Sequence, residues 1–246
     1  MKGLYRFAGI NAELATLGPE THTLCADYRA EGIAAFSVET AQADIDYERT
    51  KSAREDEVEG IPVRQFSDGY LETLAVCRAI AEKLPEYGAF LFHGSCVAVD
   101  GAGYLFTARS GTGKSTHTRL WRELFGDRAV MVNDDKPLIR MTDGAAEVFG
   151  TPWDGKHRLS ANISVPLKAI CILERAERNS IRRVTAGEAY PMLLQQAYRP
   201  ADPEAMRRTL TLLDELSVSV ALWQLGCNME AEAARVAYDA MKGRKT

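Results

Sequence analysis

Near the middle of the chain, Ala108-Arg109-Ser110-Gly111-Thr112-Gly113-Lys114-Ser115-Thr116 has the residue types and spacing that hold a polyphosphate. It follows the phosphate-loop pattern G-x-x-x-x-G-K-[ST] except at the first position, where Ala108 replaces glycine. Gly111 and Gly113 can take positive φ angles and let the backbone approach phosphate oxygens with no Cβ in the way. A helix starting at Lys114 would turn its free N–H groups and positive dipole end toward the anion. Lys114 is the expected bridge between β- and γ-phosphates, and the Ser115 hydroxyl the expected Mg²⁺ ligand. Ser110 through Thr116 are therefore the expected nucleotide-binding residues.

About twenty residues on, Asn133-Asp134-Asp135 follows the apolar run Ala129-Val130-Met131-Val132. That run reads as a buried strand, and carboxylates at its end beside a phosphate loop are placed to serve a metal. Adjacent strand residues point to opposite faces, so the two carboxylates are expected to divide the work. One would serve the metal and the other would act as general base toward a hydroxyl acceptor. The alternative is an ordinary Asn-Asp-Asp turn into a strand at Pro137-Leu138-Ile139-Arg140. Upstream, His93 lies between aromatic and glycine neighbours, as an active-site residue or as a core histidine. Downstream, the polar stretch Gly150–Ser164 carries Trp153, Lys156, His157 and Arg158. It could close over a transferred phosphate or bind an anionic acceptor, or it could be a plain surface connection.

The elements needed to position these groups can be read in outline. Ala89–Val99 and Tyr104–Thr107 flank an Asp100-Gly101 turn and predict a hairpin that feeds the loop. Ser115–Phe125 reads as a helix ended by Gly126. Further on, Ala169–Leu173 reads as a buried strand, Glu188–Tyr198 and Pro203–Leu216 as helices, Val218–Leu225 as a strand and Ala231–Met241 as a last helix. Tyr70–Leu84 predicts an amphipathic helix leading into this core, stopped by Pro85. Residues 1–70 differ: possible strands at 5–10 and 34–38 precede a charged stretch, Ala41–Gly60, that reads as an exposed helix or mobile loop. The expected organisation is a small lobe over 1–70, with no role legible in it, and a phosphate-loop core over 71–246.

Phe92-His93-Gly94, Ser110-Gly111-Thr112-Gly113-Lys114-Ser115 and Asp134-Asp135, in that order, resemble the HPr kinase/phosphorylase family. The resemblance runs from about Phe90 to Tyr238. It implies an α/β fold with a phosphoenolpyruvate carboxykinase-like P-loop core, a mixed sheet and flanking helices. It also implies ATP or another nucleotide with Mg²⁺, His93 in the active site, Asp134 as the base, Asp135 supporting the metal, and a homo-oligomer. Leu225-Gly226-Cys227-Asn228 is similar to that family's Pro-Gly-Arg-Asn stretch, without its proline and arginine. The family's Arg-Gly-Ile-Gly-Ile segment is replaced here by Gly150–Arg158, so an acceptor other than HPr is expected.

The rest of the composition narrows the function classes. A net charge of −4 gives no reason to expect a nucleic-acid surface, and no apolar run approaches the length of a membrane span. Five scattered cysteines with no C-x-x-C pair predict reduced, mostly buried thiols and no zinc site, as in a cytoplasmic protein. The leading expectation is a Mg²⁺-dependent kinase that transfers a phosphoryl group to a hydroxyl, of a serine or of a small alcohol, with the acceptor unidentified. ATP, GTP, ADP and pyrophosphate all fit as donor. A nucleotide-binding switch without efficient transfer is the second expectation. An ordinary parallel-sheet P-loop NTPase is the third, and it would need a further strand with a terminal aspartate well downstream.

Overall fold

The computed structural model describes residues 1–155 and 157–243. Two compact units divide the chain, Met1–Lys83 and Leu84–Thr246. In the first, β1 (Lys2–Phe7) and β2 (Ile10–Ala15) form an antiparallel hairpin, and β3 (Phe36–Glu39) adds parallel to β2. Ala8 and Gly9 turn the hairpin with positive φ angles of 50° and 75°, the geometry a two-residue connection needs to match strand twist. The helices are α1 (Glu20–Leu24), α2 (Gln42–Glu59) and α3 (Asp68–Lys83). The charged stretch after Ala41 is thus a helix, closed by Gly60 in the left-handed conformation. The helix read from sequence as the entry to the core, α3, belongs to this first unit. Its buried Glu72 accepts hydrogen bonds from Leu17 N (2.6 Å), Gly18 N (2.9 Å) and Thr40 Oγ1 (2.6 Å). A buried carboxylate with three donors ties the strand ends to the helix instead of standing as an uncompensated charge.

The second unit runs β4 (Ala89–Leu91), β5 (Ser95–Val99), β6 (Ala102–Thr107), α4 (Lys114–Phe125), β7 (Ala129–Asn133), β8 (Leu138–Thr142), β9 (Ala145–Phe149), β10 (Ser164–Arg175), β11 (Ser180–Arg183), α5 (Ala186–Gln196), α6 (Pro203–Ser219), β12 (Ala221–Cys227) and α7 (Ala231–Met241). Nine strands among the described residues make one curled, mixed sheet in the order β4-β8-β9-β10-β6-β5-β7, with β12 and then β11 branching from β10. The branching follows from the twelve-residue length of β10. Its first residues pair antiparallel with β9; after a register irregularity at Leu167/Ala169 the remainder lies parallel to both β6 and β12.

Both faces of the central strands are covered, which explains their near-continuous apolar sequences. In β10, Ile170 and Ile172 join the cluster with Leu193, Leu212, Leu213 and Leu216 of α5 and α6. Ala169, Cys171 and Leu173 join the opposite cluster with Trp121 of α4 and Ala233, Ala234 and Ala237 of α7. The hairpin β5–β6 turns at Asp100-Gly101, as its sequence predicts. All five cysteines are free; four are buried and Cys227 is partly so. Burial pushes the Cys25 thiol up to about 12. Among the described residues no helix is long and apolar enough to cross a membrane.

The underside of α4 is built around His117, which is 2% exposed and meets Phe106 edge-on at 4.6 Å. Trp121 Nε1 donates to His117 Nε2 at 3.0 Å, so the neutral ring carries its proton on Nδ1. Burial pushes this imidazole down to about 4 from 6.5. Below pH 6.5 an unfolded chain binds a proton there that the folded chain refuses until about pH 4. Stability from this group is therefore complete above pH 6.5 and falls as the pH drops toward 4. Urea midpoints of the wild type should fall across that window, and those of His117→Gln should fall less steeply. Equal slopes would contradict the assignment.

Candidate functional site

The second unit gathers its chemistry where β6 and β7 end. Strand β6 stops at Thr107, and the chain passes through Ala108–Gly113 into α4. Gly111 (φ 73°) and Gly113 (φ 118°) take the left-handed conformations that their residue type allows. Ser110 and Ser115 are exposed, while Thr112, Gly113, Lys114 and Thr116 are partly buried. Lys114 Nζ lies 3.4 Å from the Ala108 carbonyl. Partial burial lowers its pKa, and the charges of Asp135 and Asp134 oppose that shift. Lysine and carboxylates therefore share one electrostatic neighbourhood.

Strand β7 ends at Asn133, so Asp134 and Asp135 lie in the turn that follows, free of strict strand alternation. Asn133 is fully buried and shapes this turn. Its Oδ1 accepts from Asp135 N (2.8 Å) and Lys136 N (2.6 Å), and its Nδ2 donates to Thr151 O and Oγ1. The sequence reading assigned Asn133 no role. The Asx preference for turns is the signal that points to one.

The two carboxylates have separate partners. Asp134, 6% exposed, accepts from Ser95 Oγ at 2.7 Å. Ser95, on β5, stands 2.9 Å from Thr118 Oγ1 in the first turns of α4. Because Ser95 has one proton and gives it to Asp134, Thr118 is the donor in the second bond. A chain of hydroxyls thus joins the helix after the phosphate loop to Asp134. Asp135 lies 3.3 Å from His93 Nε2 and 2.5 Å from Lys136 Nζ. Its partial burial would raise the carboxyl, but the His93 hydrogen bond and the Lys136 charge prevail and hold it well below the usual range. His93 is fixed through its backbone: its N–H donates to Gln196 O (2.8 Å), and its carbonyl accepts from Thr107 Oγ1 (3.1 Å).

An open cleft of about 660 Å³ runs along α4 and reaches Asp134; Ser115, Thr118, Arg119, Arg122 and His157 are among its lining residues. Of the polar connection between β9 and β10, His157 lines this cleft, Arg158 is exposed and Trp153 is buried in the protein. Lys156 falls outside the described residues. Gly155 runs directly against the base of the site: a Cβ there would stand 2.9 Å from Asp134 Oδ2. Gly150 is fixed more tightly, since a Cβ would stand 1.9 Å from the Ala161 carbonyl. The connection thus folds back onto β7 as part of the site.

The sequence model for SynChlorMet cassette protein ScmC matches residues 65–229, more than half of the chain. The chain belongs to the ScmC family. The matched stretch contains the phosphate loop, Asn133-Asp134-Asp135, Ser95 and Arg175. Among solved structures, the Hpr(Ser) kinase/phosphatase from Coxiella burnetii is similar at 12% identity and a TM-score of 0.34, covering 62% of this chain and 99% of that one. No curated protein matches this sequence.

The hydroxyl chain in this ScmC-family protein has a measurable consequence. Ser95→Ala leaves a buried carboxylate oxygen without its donor, which should cost about 1–3 kcal/mol of stability. Denaturant unfolding of the full chain measures it, and an unchanged midpoint would mean that water replaces the serine at no cost.

Proposed function

We propose that this chain is a Mg²⁺-dependent kinase that transfers a phosphoryl group from a nucleotide to a hydroxyl, with a phosphate loop of the phosphoenolpyruvate carboxykinase-like kind. The observation that carries the reading is the convergence of three groups: the glycine loop with Lys114, the Asp134 carboxylate lining an open cleft, and the ionised Asp135 beside His93. The sequence resemblance of His93-Gly94, the loop and Asp134-Asp135 to HPr kinases agrees with it.

The residues fit a hard divalent cation. Ser115 and Asp135 would hold Mg²⁺, both through oxygen, and Asp135 is already held in its charged form. Among the described residues no three His, Cys, Asp or Glu side chains cluster as a metal cage. Mg²⁺ needs none, since it takes one or two carboxylates and fills its shell with phosphate and water. The ion, when bound, supplies charge neutralisation on the phosphates.

The protein's part is positioning and proton handling. Backbone N–H groups of Ser110–Thr116 and the α4 terminus cradle the β- and γ-phosphates, with Lys114 across them. Asp134 has one oxygen bonded to Ser95, which leaves Oδ2 to receive the acceptor's hydroxyl proton. The acceptor oxygen forms a bond to the γ-phosphorus as the bond to the β,γ-bridging oxygen breaks, and the nucleoside diphosphate leaves with those electrons. His157, on the cleft wall, would meet the transferred group or the acceptor.

A second reading, a nucleotide-binding switch without efficient transfer, has its own observation. Lys136 occupies Asp135, and Gly155 lies close against Asp134 Oδ2. One assay separates the two. Purified protein with Mg²⁺ and ATP, GTP or pyrophosphate is offered serine-containing peptides and small hydroxyl compounds, with phosphorylated product read by mass. Transfer should occur, and Asp134→Asn should slow it by roughly 10²–10⁴-fold with nucleotide affinity retained. Nucleotide binding with no transfer to any acceptor would favour the switch.

A further inference from the structure

Strand β10 overhangs its neighbour. The β6–β10 pairing ends at Thr107↔Ile172, yet β10 continues to Arg175, three residues or about 10 Å further along the flank of the phosphate loop. On its other side it stays paired with β12 as far as Arg175↔Cys227. The overhang is therefore held by a ladder on one edge and carries Arg175 to the loop. There Arg175 Nη2 donates to the Gly111 carbonyl at 2.5 Å.

That contact leaves most of the guanidinium unused. Arg175 is exposed, and among the described residues it forms no ion pair and no second side-chain hydrogen bond. The neighbouring carboxylate, Glu174, is engaged by Gln224 Nε2 at 2.6 Å. A guanidinium has five N–H donors in a planar fork suited to phosphate, and here its one partner among the described residues is a neutral carbonyl in the loop's own backbone. It also stands at the carboxyl ends of the parallel strands, where ligands of α/β sheets bind.

We infer that Arg175 is a phosphate-binding residue of the nucleotide site: it reaches over from β10 and adds a second cation, beside Lys114, to the phosphate chain. The inference rests on the nucleotide reading of the loop. Through the same hydrogen bond the arginine ties Gly111 to the end of β10, which its ladder with β12 holds in place.

Titration calorimetry on the full chain with Mg²⁺-ATP and with Mg²⁺-pyrophosphate tests this. Arg175→Gln leaves a shorter polar side chain without the charge, whereas Arg175→Lys keeps a charge at similar reach. The expected result is about tenfold or greater weakening of both ligands in the glutamine variant, the scale of one charge-assisted hydrogen bond, with most of it recovered by lysine. Wild-type affinity in the glutamine variant, or equal weakening in both variants, would overturn the phosphate contact and leave only a role in holding the loop. If the wild type binds neither ligand, the nucleotide reading itself fails.

Discussion

Two adjacent carboxylates beside a phosphate loop set the terms for everything around them. A buried carboxylate loses hydration worth several kcal/mol, and one without compensation takes up a proton or unfolds its surroundings. Both aspartates follow β7, and each has been given dedicated partners. Ser95, itself in contact with Thr118, serves Asp134; His93 and Lys136 serve Asp135. Those partners come from β5, the segment just before it, the helix after the loop, and the turn itself. The arrangement of β5, β6, β7 and α4 is what brings them together.

The two environments differ in kind. Asp135 is partnered by a cation and an imidazole, which favour the charged form that a metal or phosphate site needs. Asp134 is partnered by a neutral hydroxyl on one oxygen and lines an open cleft with the other end of its environment. The two carboxylates are thus divided between a charged and a neutral environment. Asn133 makes the division possible by bending the chain directly after β7, so that neighbouring aspartates need not face opposite sides of a sheet.

Much of this could be read from the sequence, and the parts that could not have physical reasons. Gly111 and Gly113 marked a tight glycine turn ahead of α4, because few residues tolerate its left-handed backbone. The Asp100-Gly101 turn gave the hairpin, and both-face burial made β6 and the centre of β10 visible as apolar runs; β7 is apolar in sequence although Val130 is exposed. By contrast, β9 and β11 are short, half-exposed strands whose pairing depends on distant partners, and no local pattern marked them. The loop after β9 was legible as polar and cationic, but its components part ways in space: His157 lines the cleft while Trp153 is buried. Ser95 was hidden inside a β-strand run and Arg175 at the end of another. Their significance lies in long-range geometry, across 39 and 64 residues of chain, which residue types alone do not encode.

The central claim is that the loop, Asp134 and Asp135 form one polyphosphate site. A crystal structure of the full chain with Mn²⁺ and a non-hydrolysable ATP analogue, with the manganese located by its anomalous signal, tests it most directly. The account predicts phosphates over Gly111–Ser115, manganese between Ser115 and Asp135, and Lys136 moved off Asp135. Nucleotide bound elsewhere, or manganese remote from both aspartates, would contradict it.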